Sequence, residues 1–304
     1  MPDRQTVLVT GANGQVGRHI CGVFDGSSNV IGLSSLALDV GDASAINKVF
    51  DTVRPDIVIN AAAYTKVDDA ENNRDLADRT NFYAVKHLCD ACLNHNSLLL
   101  HFSTDYVFDG MSTRFCKEKD HTNPLNAYGW SKLAGDHYII ENAKQYLIFR
   151  LAWVYGHAGI NFPKKILQAA KVKDRLTVVD DQVGTPTSAE FIAKTVHQLI
   201  TKEGADKNQR YNNVYNLVPN GEASWFDFAV RLLSRADALG FDLKCKANDV
   251  MPIKSSHLAQ PAKRPQRVVL DNRKVQQELG IRFAPWDAYI DDFLEQLGQQ
   301  NDKI

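Results

Sequence analysis

No apolar run in this 304-residue chain approaches the roughly 18 residues that a membrane-spanning helix requires. The N-terminal run Met1-Pro-Asp-Arg-Gln-Thr-Val-Leu-Val-Thr has no basic segment followed by a long apolar stretch, so no secretory signal is visible. An excess of either charge is missing too. The 35 basic and 36 acidic residues leave a net charge of −1, which gives no global pull toward nucleic acid or a membrane surface. Cysteine is scarce, with five residues, an odd and scattered set that suits reduced thiols in a cytoplasmic protein rather than a disulfide framework. Cys89 and Cys92, with His87 and His95 nearby, have no second Cys pair to complete a zinc site, and their helical spacing among apolar neighbours reads as packing. No acidic cluster points to a metal, and Glu118 and Asp120 read as solvated loop residues. Internal repeats and low-complexity segments are absent.

Present instead is a 44% hydrophobic content, enough for a sizeable core. The first half alternates short apolar strands with amphipathic helices. Strands are expected at Thr6–Val9, Val30–Leu33, Ile57–Ala63, Leu98–Ser103 and Tyr146–Leu151. Helices are expected at Gln15–Phe24, Ala43–Val53, Leu76–Leu93 and Ala127–Asn142. Continuous apolar strands with helical crossovers predict an α/β fold, a doubly wound parallel sheet of the Rossmann kind, with a smaller C-terminal lobe. After Tyr155 the pattern loosens. A helix is expected at Ser188–Thr201, then a polar stretch and a strand at Val214–Val218, and short helices and loops from Gly221 on. The expected division is a dinucleotide-binding domain at 1–155 with 188–218 returning to it, and a substrate-binding lobe at 156–187 and 219–304.

Gly11-Ala-Asn-Gly14-Gln-Val-Gly17 follows the first strand and opens the first helix. A dinucleotide pyrophosphate needs that context: a tight turn, close backbone approach and a helix N-terminus. The second strand ends at Leu33-Ser34-Ser35, without the acidic residue that would hold a ribose diol, and Arg18 lies just past the third glycine. This leans toward NADPH, with NADH as the alternative. Asp39 and Val40 are candidates for the adenine, and a solvated loop aspartate is an equal reading. Small residues in Asn60-Ala-Ala-Ala63-Tyr64-Thr65 let backbone run close to a cofactor. Tyr128 and Lys132 lie four residues apart at the start of a helix and share a face. An ammonium beside a phenol lowers the phenol pKa, so the pair is expected to move a proton near neutral pH.

With Thr104 at the end of the fourth strand, these features resemble the extended short-chain dehydrogenase/reductase superfamily and, within it, the dTDP-4-dehydrorhamnose reductases. The ordered matches are Gly14-Gln-Val-Gly, Arg54-Pro-Asp, Asn60-Ala-Ala-Ala-x-Thr-x-Val-Asp, Ser103-Thr-Asp-Tyr-Val-Phe, Pro124-Leu-Asn-x-Tyr-Gly-x-Ser-Lys-Leu-x-Gly, Phe149-Arg-x-x-Trp-Val-Tyr, Asn161-Phe, Asp181-Gln-x-Gly-x-Pro-Thr and Arg264-Pro.

The resemblance implies NADPH-dependent reduction of the C4 ketone of a dTDP-linked sugar, a step toward cell-surface polysaccharide. Tyr128 would then be the proton donor, Lys132 would tune it and bind the nicotinamide ribose, and Thr104 would bond the reacting carbonyl. Gly11, Gly14, Gln15, Val16, Gly17, Asp39, Val40, Ala63, Tyr64 and Thr65 would line the cofactor. Thr104, Asp105 and Trp153 would contact the sugar nucleotide, and Asn161 and Arg264 its diphosphate, for which a guanidinium is well shaped. Lys164 is divided between the diphosphate and a solvated helix face. The resemblance allows a homodimer and no nucleic acid or membrane partner. Two departures, Pro163 and Val268, fall in the expected substrate lobe. Rival readings are a 4,6-dehydratase or epimerase, disfavoured by Tyr106 where a dehydratase has Glu, and a regulatory subunit of the methionine adenosyltransferase beta type, disfavoured by Trp153.

Overall fold

Strand β1 (Thr6–Thr10) buries Val7 and Val9 against one apolar layer and Leu8 against another, so it belongs in the middle of a sheet covered on both faces. The computed structural model describes residues 4–202 and 211–299. Residues 1–3, the polar stretch 203–210 and residues 300–304 lie outside that description. Beside β1 run β2 (Asn29–Leu33), β3 (Ile57–Asn60), β4 (Leu98–Thr104), β5 (Tyr146–Leu151) and a sixth strand, Asn213–Asn216. All pairings are parallel, in the spatial order β2, β1, β3, β4, β5, sixth strand. The chain reverses direction of winding between β1 and β3, and an open α/β sheet binds ligands at that switch, beyond the strand carboxyl ends.

Helices cover both faces. α1 (Gln15–Phe24) is paired on one face with a helix near residue 190, and the layer holds Ile20, Phe24, Phe191 and Val196. On the other face lies α2 (Ala43–Val53), started by the Asp42 carboxylate accepting from Ser44 N at 2.9 Å. Next come α3 (Val67–Ala70), α4 (Arg74–Asp78), α5 (Ala84–His95) and α6 (Ala127–Asn142). Cys89 and Cys92 are buried in this second layer with Ile46, Phe50 and Leu88, and burial pushes the Cys89 thiol up to about 12.

One long helix over Leu76–Leu93 is expected from spacing, but α4 and α5 are joined by a π-helical turn, Arg79–Tyr83. Its reason is Asn81. The buried amide accepts from Tyr64 N at 2.9 Å and donates to Tyr64 O and Ser131 Oγ, each at 3.0 Å. The bulge aims this side chain at the loop after β3.

The second lobe has its own core. Helices α7 (Phe162–Val172), Trp225–Ala238 and Ile290–Gln299 bury Leu167, Phe228, Leu232 and Phe293 around the parallel pair Leu176–Val179 and Val250–Ile253. The expectation that short helices and loops dominate beyond Gly221 misses Trp225–Ala238, a helix of 14 residues started by a Ser224–Asp227 capping box. From the C-terminal part, Val275 and Phe283 pack into the sheet core rather than this lobe. Glu118, expected to be solvated, accepts from Asn216 N at 3.1 Å and ties its loop to the sixth strand. Among the described residues no helix is long and apolar enough to cross a membrane, and no group of three or more metal-ligating side chains occurs.

Phe50, on the inner face of α2, is fully buried. Phe50→Ala is expected to lower stability by about 3–5 kcal/mol in urea unfolding, and a change below about 1 kcal/mol would contradict this packing.

Candidate active site

A cavity of about 540 Å³ opens between the sheet's carboxyl edge and the second lobe. Gly14, Gln15 and Val16 after β1 line it, with Ala63 and Thr65 after β3, Thr104 and Asp105 at the end of β4, Tyr128 and Lys132 of α6, Trp153 after β5, and Asn161. The structure therefore brings together eleven of the residues expected from sequence, on a scaffold of separate elements.

The glycine turn is built for close approach. Gly11 has φ +65°, and a Cβ there would lie 2.6 Å from Ala62 N. A Cβ on Gly17 would lie 2.3 Å from Gly11 O. No side chain caps the first amides of α1, so the cradle offers free N–H groups at a helix N-terminus, the donor set that suits a pyrophosphate.

The Tyr128–Lys132 pair is set by the start of α6. Asn126 caps it by accepting from Gly129 N at 2.8 Å. Gly129 lets this turn lie on the end of β4, because a Cβ would stand 2.4 Å from Tyr106 O. The Tyr128 phenol then meets the Thr104 hydroxyl, and the Tyr106 ring stands edge-on to it at 5.6 Å.

One expectation about this pair is overturned. Lys132 does not lower the Tyr128 pKa. Burial pushes the phenol up to about 12, with the Thr104 hydrogen bond opposing. Lys132, also buried, sends its amine elsewhere: Nζ lies 2.6 Å from Phe102 O and 3.0 Å from His101 Nε2. Burial lowers its own pKa to about 8, with Asp136 opposing. Asp105 is buried as well, which raises its carboxyl to about 7 against the hydrogen bond from Thr104 at 3.1 Å. Burial likewise raises the Tyr106 phenol, so this residue is no substitute for a dehydratase carboxylate.

Other candidates lie apart from the cavity or hold different work. Asp39 sits on the exposed loop after β2, paired with Arg79 at 2.5 Å and accepting from Gly41 N, and Val40 follows it half-buried. Tyr64 directs its hydroxyl to Asp69. Asn161 is the N-cap of α7. It accepts from Lys164 N at 3.1 Å and donates to Gly156 O at 2.6 Å and Gln15 Oε1 at 2.9 Å, joining the glycine turn to the second lobe. Lys164 Nζ donates to His157 O rather than projecting from a solvated face. Arg264 lines a neighbouring cavity of about 660 Å³ and holds Asp68 at 2.6 Å, while its buried Nε has no partner. Of the two departures, Val268 is buried in an apolar cluster with Phe108 and Leu133, away from the cavity. Pro163 lines the cavity and suits the first turn of α7.

Sequence reasoning missed Trp225. Its indole stacks on Trp153 at 3.6 Å and 4°, and Phe162 packs against it at 4.6 Å. Trp153 holds a left-handed backbone, φ +45°, to reach this stack. The Ser224–Asp227 capping signal could have found the helix that carries Trp225, though not its contact across the lobe.

Comparison with known proteins follows the same lines. A family model described as RmlD substrate binding domain matches residues 5–299. A dTDP-4-dehydrorhamnose reductase of Aggregatibacter actinomycetemcomitans is 36% identical over 290 residues, covering 93% of this chain and 96% of the relative. The crystal structure of a dTDP-4-dehydrorhamnose reductase from Clostridium acetobutylicum is 36% identical with a TM-score of 0.86, covering 97% of this chain and 100% of that one. A Bacillus anthracis dTDP-4-dehydrorhamnose reductase, solved in complex with NADP, is 29% identical with a TM-score of 0.88, covering 96% and 99%.

The Trp153–Trp225 stack is expected to give exciton-coupled near-UV circular dichroism. Trp225→Leu should abolish that couplet while far-UV bands persist, and an unchanged couplet would contradict the stacking.

Proposed function

The chain belongs to the dTDP-4-dehydrorhamnose reductase family, and from that membership we infer that it reduces the C4 ketone of dTDP-4-dehydro-L-rhamnose to dTDP-L-rhamnose with NADPH. The observation that carries the reading is Tyr128, a half-buried phenol that shares one cavity with Thr104, Lys132 and the glycine cradle.

The proposed division of labour follows the two lobes. Residues 1–155 with 188–218 hold the cofactor, and 156–187 with 219–304 hold the sugar nucleotide. In the cofactor half, Gly14, Gln15 and Val16 would hold the pyrophosphate, Ala63 and Thr65 would border the ribose side, and Lys132 would reach the nicotinamide ribose. Gly11 and Gly17 shape that turn, and Tyr64 anchors the loop beside it. Asp39 and Val40 are assigned to the adenine end. The free helix N-terminus and the Cβ-free cradle fit the group. NADPH, when bound, supplies the hydride. A 2′-phosphate is compatible with Ser34 and Ser35, where no carboxylate repels it, and with exposed Arg18 beside the turn. NADH is the weaker donor on this reading.

On the sugar side, Thr104 and Tyr128 would donate to the C4 oxygen as negative charge builds there. Tyr128 then releases its proton to that oxygen. A phenol pushed up to about 12 by desolvation keeps its proton through the neutral range, the form this direction of reaction needs. Trp153 would offer an apolar face to sugar C–H groups, backed by Trp225. Asp105 would accept from sugar hydroxyls. Arg264, with its unpartnered Nε, is assigned to the diphosphate, and Asn161 supports it by fixing α7.

Tyr128→Phe is expected to lower turnover by at least about 100-fold while NADPH binding, read by fluorescence titration, stays within about threefold. Turnover near the parent rate would sink the assignment of Tyr128 as the acid.

A further inference from the structure

Around Lys132 lies a polar network whose other members the mechanism above does not use. Thr10, Asn60, His101, Ser103, Lys132 and Asp136 are all buried. Asn60 Oδ1 accepts from Ala62 N at 3.2 Å and from Thr10 Oγ1 at 2.8 Å. A backbone N–H can only donate, so this fixes which end of the amide is oxygen. The Asn60 NH₂ therefore faces His101 Nδ1, at 3.1 Å, and donates to it. His101 Nδ1 is then bare, and the neutral imidazole carries its proton on Nε2.

Nε2 faces two groups. The Lys132 amine is 3.0 Å away and Asp136 Oδ1 is 3.7 Å away. Asp136 Oδ1 is buried and has no hydrogen-bond partner, whereas Oδ2 accepts from Ser103 at 2.5 Å. A single N–H thus stands between two acceptors. It can bond the lysine only when that amine is neutral and offers a lone pair. Once the amine carries three protons, its contact with Nε2–H is repulsive, and a small tilt gives the orphan carboxylate oxygen its missing donor.

We propose that His101 is the positioning residue of Lys132: its Nε2–H bonds the amine and holds Nζ when lysine is neutral, and turns to Asp136 Oδ1 when lysine is charged, leaving the ammonium to Phe102 O. The proton that charges Lys132 comes from solvent, and the imidazole keeps its own. This inference rests on the reductase reading for the importance of Lys132, while the tautomer follows from the hydrogen bonds alone.

The surrounding charges agree. Tyr128 and Asp136 share α6 with Lys132, His137 neighbours Asp136, Arg150 faces Asp136 from β5, and Asp105 stands at the end of β4. Burial, then Lys132, holds His101 far below its usual range, so it stays neutral. Burial lowers Lys132 to about 8, where both of its states are populated near neutral pH.

Two measurements test this. In the full-length protein with ¹⁵N-histidine, the His101 signal, recognised by its failure to titrate between about pH 5 and 9 and told from the similarly depressed His19 by the signal that a His19→Gln protein loses, is expected to show the Nε2–H tautomer with a bare Nδ1. An Nδ1–H tautomer or an imidazolium overturns the proposal, with no reference to activity. The second is the pH profile of turnover for NADPH oxidation with dTDP-4-dehydrorhamnose. In the parent protein it should fall as pH rises through about 8, as Lys132 loses its proton. His101→Asn keeps an acceptor for Asn60 but removes Nε2, so neutral lysine loses its donor. The alkaline limb should move up by about one pH unit, while His101→Gln, which can restore an N–H near Nε2, should bring it back. An unmoved limb in a folded His101→Asn protein overturns the proposal. If neither variant folds, the tautomer decides. Absence of any NADPH oxidation by the parent would overturn the reductase reading instead, leaving the tautomer result standing.

Discussion

A primary amine buried in the sheet's edge is the constraint around which this site is arranged. Lys132 lies among groups that cannot be moved without leaving a buried polar atom unpaired: the Phe102 carbonyl, the His101 ring and, beyond it, the Asn60 amide. Each such unpaired group costs about 1–3 kcal/mol. The network therefore ties α6 to β3 and β4 at one height along the sheet. Tyr128, one helical turn earlier, is carried to a fixed place above the strand ends.

That placement explains features which look unrelated in the chain. Gly129 is bare because α6 must start against Tyr106 O. Asn126 caps the helix there and also donates to Lys263 O at 2.9 Å, joining this turn to the segment that carries Arg264. The π-turn before α5 aims Asn81 at both the loop after β3 and Ser131 of α6. Asn161 performs the matching task on the other side, where one amide caps α7 and holds Gln15. The two lobes are linked through capping residues, so cofactor turn, proton donor and sugar-facing surface share one frame.

Much of this was legible in the chain. Apolar strands and helical spacing predict the parallel sheet, because a strand buried on both faces has little room for polar residues. The α6 boundaries, Ala127–Asn142, match the spacing of its sequence. The glycine turn and the Tyr128–Lys132 spacing are local patterns, and they lie where local rules put them. What stayed hidden depends on burial and on partners far away in sequence. Spacing places Lys132 beside Tyr128 but does not show Phe102 O at 2.6 Å from its amine, so it does not give the direction of the phenol shift. His101 sits in Leu98-Leu-Leu-His-Phe-Ser-Thr, where one polar residue within an apolar strand carries no mark of the amine it meets 31 residues later. Trp225 finds Trp153 only through the packing of the second lobe.

The central claim is that this cavity joins a nicotinamide donor to the C4 ketone of a dTDP-linked sugar, with protein groups supplying the proton. Incubation with dTDP-4-dehydro-L-rhamnose and NADPH deuterated on the transferable C4 position, followed by mass and NMR analysis of the sugar, tests it most directly. The account predicts dTDP-L-rhamnose carrying one deuterium on sugar C4, formed in equal amount with oxidised cofactor. Recovery of unreduced keto sugar, or a product without deuterium at C4, would contradict it.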